Sequence, residues 1–112
     1  MDILLNARCG VLCLVFAIAG NAEARLLDGS DLQDACLRLP YMAKNYAIGT
    51  TQGLDEFMRD NKIKLYCAPS DLTGDQKTDI VCNYMKTTSN ARRLTMNAAV
   101  GAAMAKAYPC EE

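Results

Sequence analysis

The chain has 112 residues, six cysteines, no histidine, and 12 Lys and Arg against 13 Asp and Glu, for a net charge of −1. Near-neutrality excludes the broad electrostatic attraction that nucleic acid or anionic lipid demands, so a partner must be selected by shape and local contacts. Without histidine the chain lacks the commonest general base, the Ser-His and Cys-His nucleophile pairs, and the usual zinc sites.

The amino-terminal segment reads as an export leader. Arg8 lies in a short polar start, an apolar run follows from Val11 to Ala19, Gly20 ends it, and Ala22-Glu23-Ala24 supplies small residues at both cleavage subsites. Read instead as a membrane anchor, Ile3 to Ala19 would hold Arg8 in hydrocarbon at a cost of about 2.5 to 3.5 kcal/mol. Residues 1–24 are therefore expected to be removed, leaving a periplasmic chain from Arg25 with no membrane attachment. Arg8 leaves with Asp2 and Glu23, so the remainder has no net charge.

Cys9 and Cys13 also leave, and Cys36, Cys67, Cys82 and Cys110 remain. A small domain rarely stabilises itself by its core alone, and an even cysteine set in an oxidising compartment reads as two disulfides. Four cysteines allow three connectivities. Cys67 with Cys110 is the preferred pair because each flanks a proline beside a helix end, which leaves Cys36 with Cys82.

Helical patterns fill the rest. Ser30 or Asp31 is positioned to cap a first helix over Leu32 to about Leu39, with Leu32, Cys36 and Leu39 on one face, before Pro40 interrupts it. A second helix is predicted from about Tyr41 to Arg59, with Met42, Tyr46, Gly49, Gly53 and Phe57 at helical spacing. Gly49 and Gly53 lie one turn apart, which points to close approach by a neighbouring helix. Residues 60–70 form an irregular connection that Ile63, Leu65 and Tyr66 are expected to pin to the core.

Thr73 and Gln76 have capping-box spacing, so a third helix should start there and run to about Lys86 with Cys82 near its apolar face. Thr87, Thr88, Ser89 and Asn90 read as a turn ending in an N-cap. A fourth helix is predicted from Ala91 to about Tyr108, with Leu94, Ala98, Gly101, Ala102 and Ala105 as a stripe of small residues, until Pro109 stops it. No strand alternation persists. The predicted fold over residues 25–112 is a small all-α, four-helix, disulfide-bonded domain.

Little in the sequence suggests catalysis. Asp71, Asp75 and Asp79 recur every fourth residue but lack the alternating acids and closing glutamate of a calcium loop, and they fit helix-dipole complementation and solvation. No metal or cofactor is implied, and the scattered methionines read as core filling. Arg92 and Arg93 open the predicted fourth helix against the dipole, where such charges sometimes answer to a partner.

The Leu-x-x-x-Cys first helix (Leu32 to Cys36), the aromatic and glycine of the second (Tyr46, Gly49), the Cys-x-Pro connection (Cys67, Pro69) and the Ala-Tyr-Pro-Cys ending (Ala107 to Cys110) are ordered and spaced in a way that resembles the Rap/Tai immunity family of type VI secretion. The resemblance implies a non-enzymatic periplasmic helical protein, commonly a homodimer, that binds and inhibits a peptidoglycan amidase effector. The matching residues are framework and carry over no contact residue. On the chain's own pattern, the candidate contact surface is the turn of Thr87, Thr88, Ser89 and Asn90 with Arg92 and Arg93 at its edge, and the rival is the connection from Arg59 to Tyr66. The alternative function is a small periplasmic stress chaperone.

Overall fold

The computed structural model describes residues 26–111; the leader and its cleavage point lie outside them. The elements are α1 (Gly29–Arg38), α2 (Pro40–Asn61), α3 (Gly74–Thr87), a 3-10 turn (Ser89–Arg93) and α4 (Met96–Ala107). The described residues contain no strand, only an isolated antiparallel bridge between Asp28 and Thr95.

Local chemistry explains each helix end. Asp28, rather than Ser30 or Asp31, caps α1: its carboxylate accepts from the Asp31 amide at 3.1 Å while the Asp31 carboxylate accepts from the Asp28 amide at 2.9 Å. Pro40 opens α2 instead of merely ending α1, since its missing N–H costs nothing in the first turn. Thr73 and Gln76 form the predicted capping box of α3.

The fourth helix starts later than the sequence suggests. Thr95, not Asn90, caps α4 by accepting from the Ala98 amide at 3.2 Å. Residues 94 and 95 are extended because they pair with the start of the described chain: the Gly29 amide donates to Leu94 O at 2.7 Å and the Met96 amide to Leu27 O at 3.2 Å. Tertiary hydrogen bonding there overrides local helix preference.

That late start changes the buried face of α4, which is Met96, Ala99, Val100, Ala103 and Met104 rather than the predicted small-residue stripe. These pack with Leu32, Ala47, Tyr66, Val81, Met85 and Ala91 into one core. Alanine is frequent in it, so the helices approach closely over few large side chains. Thr51 is fully buried, and its hydroxyl is satisfied by donating to Ala47 O at 2.7 Å.

Several apolar residues assigned to the interior lie outside it. Leu39, Met42, Phe57, Ile63 and Leu65 are all exposed, and of the three residues expected to pin the 60–70 connection only Tyr66 does so. The Tyr66 ring is buried and its hydroxyl donates to Asp55 Oδ1 at 2.7 Å. Burial first, then that hydrogen bond and the Asp55 charge, hold the phenol well above its ordinary pKa, so it stays a donor.

Candidate functional site

The two disulfides frame the domain. Cys36 of α1 is bonded to Cys82 of α3, and Cys67 in the α2–α3 connection to Cys110 beyond α4. These are the pairs the prolines and helix ends favoured. The Cys67 amide also donates to Tyr108 O at 2.9 Å, so the connection and the chain beyond α4 are fastened together twice.

The Thr87 to Arg93 segment divides between two elements. Thr87 is the last residue of α3, where its hydroxyl donates to Asn83 O at 2.9 Å, and Thr88 is extended and half-buried. Ser89 and Asn90 open the 3-10 turn, exposed, and Arg92 and Arg93 close it, also exposed. The arginines therefore lie at the end of a short turn and do not oppose the dipole of α4. Among the described residues neither enters an ion pair.

Ala91 holds this turn down. It is buried, and its carbonyl sits so close to Gly29 that a Cβ built there would lie 1.9 Å from the Ala91 oxygen. A rigid base under six polar, mostly solvated side chains can present hydrogen-bond donors and two cations to a partner. Nothing in the pattern around Gly29 announced this contact, because the residues that meet it are about sixty positions away in the chain.

Two further surfaces emerge, one at a glycine pair that spacing misread and one at the Arg59 to Tyr66 connection named as the rival contact. Gly49 and Gly53 are exposed on α2, and a Cβ at either would meet nothing within 4 Å, so no helix among the described residues packs on them. With Phe57, Leu65 and Asn97 they form a shallow groove of about 500 Å³. A larger groove, about 600 Å³, lies at the end of α2 between Arg59, Lys62 and Lys64. Of the three aspartates, Asp75 is paired with Lys44 at 3.0 Å, and the described residues hold no cluster of acids and cysteines suited to a metal ion.

Compared with known families, residues 28–110 match the Rap1a immunity proteins. The match begins at the Asp28 cap of α1 and ends at the Cys110 disulfide, so it takes in all four helices and both bridges. This chain is a member of the Rap1a immunity protein family. No curated protein and no solved structure gave a match. Membership of this family points to an immunity protein against a secreted effector, and no helix among the described residues is long and apolar enough to cross a membrane.

Proposed function

We propose that this chain is a periplasmic immunity protein that binds and inhibits a peptidoglycan amidase effector delivered by type VI secretion. The observation that carries the reading is family membership across the whole helical domain. Two disulfides fit an oxidising compartment, and the Ala22-Glu23-Ala24 leader pattern provides the route there.

The proposed contact surface is Thr87, Thr88, Ser89, Asn90, Arg92 and Arg93. An inhibitor of a cleft enzyme must project polar groups without losing much side-chain and loop entropy on binding, and a turn clamped at Ala91 satisfies that requirement. Among the described residues Arg92 and Arg93 have no carboxylate partner to leave. The combined variant Asn90→Ala, Arg92→Ala and Arg93→Ala is expected to weaken binding to the strain's secreted peptidoglycan amidase by about a hundredfold, with an unchanged melting temperature. Calorimetric titration checks this, with Lys62→Ala and Lys64→Ala measured separately for the other candidate surface. Unaltered affinity in the triple variant would remove the turn from the interface.

A homodimer is the second part of the proposal. The Gly49 and Gly53 groove with exposed Phe57 and Leu65 is open, and a symmetric copy laying α2 across α2 would bury it. Gly53→Leu fits the monomer, since nothing occupies the space of its Cβ. Sedimentation of this variant should show a folded monomer where the native protein is a dimer; a native monomer at high micromolar concentration would reject the dimer.

A further inference from the structure

The groove at the end of α2 combines charge, apolar floor and a backbone conformation that local preference does not explain. Its walls are fixed. Tyr66 is tied to Asp55, Cys67 to Cys110, and the Ile63 amide donates to Met58 O at 3.1 Å. The rim carries Arg59, Lys62 and Lys64, while Met58 and Ala68 contribute apolar surface.

The groove carries an excess of cations. Its lining sets Arg59, Lys62 and Lys64 against a single acid, Asp55, which accepts the Tyr66 hydroxyl. Arg59 reaches only its neighbour Asp60, at 3.9 Å with both side chains about three-quarters exposed, and Lys62 and Lys64 enter no ion pair among the described residues. Helix-dipole complementation accounts for Arg59 in the last turn of α2. It does not account for Lys64, because the dipole's influence fades within that turn.

Lys62 is the second, independent sign. It has φ 55 and ψ 40, the only positive φ at a non-glycine residue among those described. Glycine is the usual residue where a helix ends in this conformation, and a side chain there is unfavourable. A lysine at that position, at the mouth of a basic groove, fits a residue placed for contact.

We propose that this groove docks an acidic segment of the effector that also carries apolar side chains, with its carboxylates on Lys62 and Lys64 and an apolar side chain on the Met58 floor. Charge complementarity selects the occupant: the exported chain has no net charge, so its attraction for acid comes from local clusters, of which this rim is one. The identity of the partner rests on the immunity reading above, and the groove adds a contact beyond the Arg92 and Arg93 turn.

The test uses a blocked peptide alternating Asp or Glu with Leu or Phe, its counterpart with Lys in place of the acids, and vesicles of phosphatidylglycerol, each titrated into the isotopically labelled mature protein. The acidic peptide should shift amide resonances of residues 58–68 and weaken with added salt, and the lysine peptide should leave them in place. Lys62→Glu with Lys64→Glu should weaken the acidic peptide about tenfold or more. Lys62→Gly should also weaken it, by roughly threefold, while the melting temperature holds or rises, an outcome no merely structural role for Lys62 produces.

Absence of shifts with the acidic peptide, equal binding by the double Glu variant, or binding to the vesicles with none to the peptide would overturn the proposal. The peptide reports on the groove alone. Its failure leaves the immunity function standing, whereas failure of that function with the peptide still bound would transfer the groove to a different acidic partner.

Discussion

Removing the Cys36–Cys82 bridge as Cys36→Ala with Cys82→Ala is expected to lower the thermal midpoint by roughly 15 to 30 °C. The bridge spans 46 residues of sequence, and closing a loop of that length restricts the unfolded chain by about 4 kcal/mol in the chain-entropy account. A domain under a hundred residues shifts by about 4 to 8 °C per kcal/mol. Cys67–Cys110 spans 43 residues, so its removal should cost a similar amount. The two loops interlock, since Cys67 lies between Cys36 and Cys82, and the effects should add to less than their sum. With only five large apolar side chains fully buried among the described residues, losing both bridges is expected to leave no stable fold at 37 °C. Melting curves followed by circular dichroism, with and without reductant, check this; a shift of a few degrees would show that the core suffices alone.

Gly29→Ala carries the other large effect. Its added methyl would lie 1.9 Å from Ala91 O and 2.9 Å from Arg92 Cα, both backbone, so no side chain can move aside. The α1 start or the 3-10 turn must shift, yet each is fixed by the Asp28 cap and by the Gly29 amide bond to Leu94 O. A loss of about 3 kcal/mol or more is expected, at the upper end of overpacking effects. The same change at Gly49 meets open space and should raise stability by up to about 1 kcal/mol through helix propensity. Urea unfolding of the two variants gives the comparison. Similar midpoints for both would mean that α1 does not pack on the turn as described.

Local signals were legible in the sequence, and contacts between distant segments were not. The Thr73 capping box and the break at Pro40 are short-range chemistry and both stand in the fold; the exception at long range is the Cys67–Cys110 pair, indicated by the proline and helix end beside each cysteine, with Cys36–Cys82 left by elimination. The start of α4 was misplaced because residues 94 and 95 are extended by hydrogen bonds to Leu27 and Gly29, which local propensity cannot contain. The spacing of Gly49 and Gly53 predicts close approach by a neighbouring helix, yet among the described residues a Cβ at either position meets nothing within 4 Å, so glycine spacing alone does not establish packing. Hydrophobicity alone places Ile63 and Leu65 inward, yet of the three apolar residues only Tyr66 is buried, and the connection is held by it together with the Cys67–Cys110 bridge and the Cys67 amide. The positive φ of Lys62 has no sequence signature, since the residue usual there is glycine.

The central claim, that this family member protects its own cell wall from a secreted amidase, is tested most directly by competition. A strain lacking the gene is grown in contact with its parent, whose type VI secretion system is active, and survival is compared with that beside a secretion-deficient parent. Loss of the gene should cause lysis only beside the active parent, and survival should return with the full-length chain but not with a version starting at Arg25 and confined to the cytoplasm. Equal survival beside both parents would contradict the account.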